Sequence, residues 1–140
     1  MRTLRLRLCP LAELGAESAL DYEVLDDARA IVRRERAVLA ELPRLPRTEL
    51  VVAAPDVLLV DVSLPALAGA RLRAALPSLA EPHLLSDLEA AFVVAARPVG
   101  GAHTTLAALD RALLQRALEL LRRVKLEPAS ATPEQLTLPR

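Results

Sequence analysis

The 140-residue sequence predicts a mixed α/β fold, a sheet containing both strand directions with helices flanking it. Three observations point to it. In "TLRLRL", residues 3–8, leucines at 4, 6 and 8 alternate with Arg5 and Arg7, the period-two pattern of a strand with one buried face. Two later segments, beginning near Ala66 and Asp110, instead space leucine and alanine at helical intervals. Several further short apolar runs are bounded by Pro, Gly or Asp, as strands are.

Taken in order, the first strand stops at Pro10. "DYEVLD" and "RAIVRR" then read as a hairpin, with Asp26 and Asp27 supplying the turn. "ERAVLAEL" has helix-forming composition and ends before the two prolines of "PRLPR", which predicts a short helix. "TELVVAAP" and "DVLLVDVSLP" follow as the fourth and fifth strands, joined at Pro55-Asp56. From Ala66, residues Ala68, Leu72, Ala75, Leu76 and Leu79 form one helical face; Pro77 lies inside it and predicts a kink or early stop, with Pro82 as the outer limit. "EAAFVVAARPV" and "AHTTLAALD" read as strands around a Gly100-Gly101 turn. Asp110 is a candidate N-cap for a closing helix whose face is Leu113, Leu114, Ala117, Leu118, Leu121 and Val124. The lobe is expected to span residues 1–126. The Pro-, Ser- and Thr-rich remainder, 127–140, is expected to be an arm or linker.

Composition narrows the functions available. Apolar residues make up 53% of the chain, yet Tyr22 and Phe92 are its only aromatics, so the core has to be aliphatic and base-stacking platforms are lacking. Lys plus Arg and Asp plus Glu both total 18, so no net charge attracts the chain to a polyanion or an anionic membrane. Nucleic acid is therefore not an expected partner. The single cysteine, Cys9, forms no internal disulfide and suits a reducing compartment. Met1 to Leu8 does not read as a signal peptide, and Pro55, Asp56 and Asp61 cut the longest apolar runs well short of the roughly 20 residues a membrane span needs. The expectation is a cytoplasmic segment with no membrane contact of its own.

Candidate chemistry is sparse. Asp61 sits in "LLVDVSLP", where alternation puts it on the face shared by Val57, Leu59 and Ser63; a partly solvated carboxylate at a strand end outweighs a catalytic acid, since no neighbour in sequence supplies a cation. Cys9 and His103 are a conceivable nucleophile and base. A small buried thiol is the simpler reading of Cys9. His83 reads as a loop residue and His103 as a strand residue, and two isolated histidines with one cysteine lack the spacing of a zinc site. Glycines at 15, 69, 100 and 101 build no phosphate-cradling turn before a helix. No catalytic, metal or cofactor residue is assigned. "RRER", residues 33–36, could be a solvated corner or a docking patch, and Arg33, Arg34 and Arg36 are the candidate partner-binding residues.

Three stretches, "ELVVAAPDVLLVDVSLP", "ARLRAALPSLAEPHLLSDLEAAFVVAARPV" and "LAALDRALLQRALELLRRVKLEP", resemble the cytoplasmic region of type II secretion system protein L (GspL), over roughly Thr3 to Pro128. The resemblance implies the first lobe of an actin-like domain related to PilM, with an RNase H-like core. It further implies a non-enzymatic scaffold of the inner-membrane platform, on the cytoplasmic face of the bacterial inner membrane. Its partners would be the N-terminal domain of the secretion ATPase, GspE, and other platform proteins. Full-length members continue with a second lobe, a membrane span and a periplasmic domain, so the chain reads as a piece of such a protein, with 127–140 leading toward the second lobe. A nucleotide-binding actin-like module is the alternative. True actin-like ATPases, however, use an acidic residue and glycine in a tight turn after the first strand, whereas "LCPLAELGAES" has Glu13 and Gly15 outside any such turn.

Overall fold

A computed structural model describes residues 1–67, 69–84, 87–95 and 102–137. The chain divides into two compact units, Met1–Ala54 with Leu113–Arg140, and Pro55–Ala112.

The first unit is built on a five-stranded sheet of order β3-β2-β1-β4-β8, formed by β1 (Thr3–Arg7), β2 (Ala19–Leu25), β3 (Ile31–Val38), β4 (Arg47–Val52) and β8 (Ser130–Pro133). β1 pairs antiparallel with β2 and parallel with β4, so the sheet is mixed as expected. Alternation assigns its faces. Leu4 and Leu6 stand beside Val24 and Tyr22 on one side, while Arg5 and Arg7 stand beside Glu23 and Asp21 on the other. The apolar face packs with Leu11, Leu14, Leu20, Leu39 and Leu50 into a core completed by Ala117, Leu121 and Leu126. Ala117 and Leu121 belong to α2 (Arg111–Arg123), and Leu113, Leu118 and Val124 pack against the same core. Leu114 is only partly buried and stands outside that cluster. The helix closes with Lys125 at φ 61 while Leu126 N–H donates to Leu121 C=O at 2.9 Å, a Schellman ending that buries Leu126 against the helix it terminates.

The predicted β2–β3 hairpin is present. Asp26 makes its turn by accepting from the amides of Ala28 and Ala30, both at 2.9 Å, with Arg29 at φ 66. The short helix expected in "ERAVLAEL" is absent: Glu35 to Val38 continue β3 and pair with Tyr22 to Ala19, and only Leu39–Glu41 form a 3-10 turn. An eight-residue helix is too short to hold by itself, whereas β2 offers these residues a full ladder. The segment expected to be an arm also differs in part. Ser130–Pro133 run parallel to β4, and the sheet contact is extended by Ala129 N–H to Thr48 C=O at 2.7 Å and Ala54 N–H to Glu134 at 2.9 Å. β4 has an open side that any backbone can complete, and Pro133 is tolerated because the strand lies at an edge. Residues 138–140 of that segment lie outside the described residues.

The second unit holds a three-stranded antiparallel sheet of order β5-β7-β6, made of β5 (Leu58–Ser63), β6 (Ala91–Ala95) and β7 (His103–Asp110), with α1 (Gly69–Ala80). The fourth and fifth strands of the sequence therefore belong to different sheets. Leu72, Leu76 and Ala80 recur every fourth residue on α1 and pack with Val62 and Leu106. α1 passes through Pro77 to Ala80 rather than ending early, because that buried row anchors the last turn. Arg111 donates to Ala91 C=O at 3.1 Å and lies 5.8 Å from the Phe92 ring centroid. Ala68 and the Gly100-Gly101 turn lie outside the described residues.

Leu121→Ala should lower the unfolding free energy by about 2–5 kcal/mol in urea titrations, since Leu121 is fully buried; Leu114→Ala should cost a small part of that.

Candidate functional site: a charged sheet face and its open edge

The side of the five-stranded sheet turned away from the aliphatic core carries side chains from four strands. Its centre is Glu23 on β2, whose carboxylate is 5% exposed. Arg7 donates from Nε and Nη2 to Oε1 at 3.2 and 3.0 Å, Arg34 donates from Nε to Oε2 at 3.1 Å, and Arg5 Nη1 lies 3.7 Å from Oε1. Burial alone would raise the Glu23 pKa, but the hydrogen bonds and charges of Arg7, Arg34 and Arg5 prevail and hold it below the ordinary glutamate value. Alongside, Arg36 donates to Asp21 at 3.1 Å. Toward β4, Arg29 grips Glu49 through both terminal nitrogens at 2.7 and 2.9 Å, and Arg47 adds a bond at 3.2 Å. The Arg29 bond lowers the Glu49 pKa, with Arg47 assisting against a smaller opposing effect of burial. Six guanidiniums thus share three carboxylates on this side, and positive charge is in excess. Beside β3 the surface dips into a depression of about 600 Å3 lined by Arg7, Asp21, Glu23, Arg34 and Arg36 among others.

The three arginines selected from the sequence all lie on β3, the edge strand. They do not form one patch. Arg34 and Arg36 face Glu23 and Asp21 on the charged side, whereas Arg33 pairs in register with Val24 and projects from the opposite side. There Arg33 donates to Glu35 Oε2 at 2.7 Å, and the Tyr22 hydroxyl donates to the same oxygen at 3.1 Å. Burial and the Glu35 contact raise the Tyr22 pKa, and the Arg33 and Tyr22 hydrogen bonds lower that of Glu35. Sequence reasoning missed Arg5, Arg7, Asp21 and Glu23. The alternation that identified their strands already placed them on one face, but only the β1–β2–β3 register brings the three rows together.

The remaining candidates fall elsewhere. Asp61 is exposed on β5 and accepts from Thr105 Oγ1 of β7 at 2.6 Å, the partly solvated strand carboxylate expected. Cys9 packs partly buried against the first unit's core. His103, in the second unit, has Nδ1 3.4 Å from Ser63 Oγ at an exposed cross-strand position, and His83 lies exposed in a 3-10 turn. Among the described residues, no group of three or more His, Cys, Asp and Glu could hold a metal ion, and no helix is long and apolar enough to cross a membrane.

The connection between β1 and β2 matters for any nucleotide chemistry. It is a long loop rather than a tight turn, and it folds inward: Leu11 and Leu14 are buried in the core, and Arg116 of α2 donates to Leu11 C=O at 3.0 Å. The Gly15 amide donates to Ser18 Oγ at 2.9 Å, so this glycine's N–H is committed within the loop.

A family model described as type II secretion system (T2SS), protein L, matches residues 13–140. The chain belongs to the protein L family of the type II secretion system. Among solved structures, this protein L chain is similar to the cytoplasmic domain of EpsL, an inner membrane component of the type II secretion system of Vibrio cholerae, with TM-score 0.79 and 21% identity over 100% of the chain. The chain spans 60% of that domain's length. A PilM-PilN type IV pilus biogenesis complex matches with TM-score 0.65 and 20% identity, over 95% of this chain and 47% of the other. A Bacteroides thetaiotaomicron protein of unknown function with an actin-like ATPase fold matches with TM-score 0.54 and 10% identity, over 97% and 52%. No curated protein matches the chain. At these identities the structural likenesses show the fold, which is of the actin-like type.

Because the folded-state pKa of Glu23 is depressed, the stability it contributes is present above the ordinary glutamate value and is lost as pH falls through the depressed one. Glu23→Gln should therefore cost about 2 kcal/mol in urea denaturation at pH 7, and the gap to the wild-type chain should narrow steadily below about pH 4.

Proposed function

We propose that the chain is a non-enzymatic docking lobe of the type II secretion inner-membrane platform, working at the cytoplasmic face of the membrane and recruiting the secretion ATPase through that enzyme's N-terminal domain. Family membership and the likeness to an EpsL domain described as cytoplasmic support the setting. The observation that carries the non-enzymatic part is the β1–β2 connection. In an actin-like ATPase the turn after the first strand holds phosphate and Mg2+; here Leu11 and Leu14 bury that segment and Ser18 takes the Gly15 amide, so the loop serves packing. The observation that supports docking is the surplus of guanidiniums ending at β3, where Arg34 and Arg36, with Arg33 on the other side of the same strand, would meet an acidic partner surface. Other platform proteins would use the remaining surface.

Titration of the chain with the N-terminal domain of the secretion ATPase should show saturable binding that weakens with salt. Arg33→Gln, Arg34→Gln and Arg36→Gln combined should weaken it by on the order of tenfold or more and flatten the salt dependence. Unchanged affinity would exclude the three arginines. Calorimetry of the chain with ATP and Mg2+ should give no heat of binding; a saturable signal would favour a nucleotide-binding actin-like module instead.

A further inference from the structure

β3 is eight residues long and lies at the edge of its sheet, so one side of its backbone pairs with β2 while the other has no strand beside it among the described residues. Such an edge is a template for an added strand. Its residues from Ile31 to Arg36 are all exposed, which leaves room for one.

The side chains discriminate between candidate strands. In an antiparallel pair, residues directly opposite share a face and like charges there repel. Sliding β3 along a second copy of itself sets Arg33 opposite Arg33, Arg34 opposite Arg34, Arg34 opposite Arg36, or Arg36 opposite Arg36 in the successive registers that overlap most of the strand. In-register parallel pairing opposes every arginine to itself. Among these antiparallel registers Arg33 meets Glu35 only where Arg34 opposes Arg34, so on the face of Arg34 and Arg36 a second copy is a poor occupant.

An acidic strand meets the opposite condition. Arg34 and Arg36 are two residues apart on one face, roughly 7 Å along the strand, the spacing at which alternate residues of an added strand recur. Arg34 uses Nε for Glu23 and Arg36 uses Nη1 for Asp21, so each guanidinium keeps further N–H donors for a second carboxylate. Arg5 and Arg7 behind them add positive charge that Asp21 and Glu23 do not balance. Backbone pairing would supply affinity, and the paired carboxylates would set register.

We propose that β3 receives an additional β-strand from a protein partner, with Asp or Glu at alternate positions directed at Arg34 and Arg36. The proposal rests on the docking reading above and adds the mode of binding and the recognition pattern.

The test is backbone amide hydrogen exchange of the 140-residue chain by NMR, alone, with the N-terminal domain of the secretion ATPase, and with a nine-residue synthetic peptide alternating Val and Asp. Strand addition predicts that alternate amides between Arg33 and Val38 slow by at least tenfold in a bound state. A peptide of the same composition with its Asp residues in one block should give no such protection, nor should the alternating peptide N-methylated at every second residue. If the ATPase domain binds without slowing any β3 amide, strand addition is overturned while docking stands. If that domain does not bind, docking to it fails, and the alternating peptide decides: protection of β3 upholds an acidic strand from another protein, and none overturns it. β3 amides already slow in a chain that sediments as a dimer would overturn the proposal in favour of a second copy. Equal protection by phosphatidylglycerol vesicles would overturn it in favour of a membrane surface.

Discussion

The carboxylate of Glu23 ties three strands together from the side of the sheet opposite the core of Leu4 and Leu6. Arg5 and Arg7 reach it from β1 and Arg34 from β3. Their proximity follows from register: with Leu4 and Leu6 committed to the apolar face, the intervening arginines have to stand on the other, directly across from Asp21 and Glu23. A one-residue slip would bury the arginines and expose the leucines, so core packing and the charged lattice specify the same pairing. The lattice in turn orients Arg34 and Arg36 at the sheet edge, where the docking readings place their partner.

The same core determines what the β1–β2 connection does. A loop that cradles phosphate has to present amides to solvent, which glycines permit and bulky apolar side chains oppose. Here Leu11 and Leu14 draw the loop into the aliphatic core, and a side chain of α2 holds the Leu11 carbonyl. A shared actin-like architecture is thus compatible with a loop given over to packing, and family membership, not fold, is what points to secretion.

Much of the architecture was legible because local periodicity records which side chains face inward. The alternation in β1, the hairpin marked by Asp26, the leucine face of α2 and the strands around β7 all follow from it. The site was less legible. Arg33, Arg34 and Arg36 could be singled out as a charge run, but a linear run does not reveal that Arg33 leaves from the opposite side, nor that Glu23, many residues away, occupies Arg34. Asp61 was readable as a strand carboxylate, while its partner Thr105 depended on β5 pairing with β7.

By itself, the sequence determined an aliphatic core, the inward face of β1, most of the buried face of α2 and the lack of a glycine-rich phosphate loop, since these depend on residue type and short-range spacing. Only the tertiary structure decided that residues 35–38 extend a strand, that β4 and β5 part into separate sheets, and that Ser130–Pro133 complete an edge. The reason is that strand partners are chosen through backbone N–H and C=O groups, which nearly every residue carries alike, so the choice leaves little trace in the side-chain pattern.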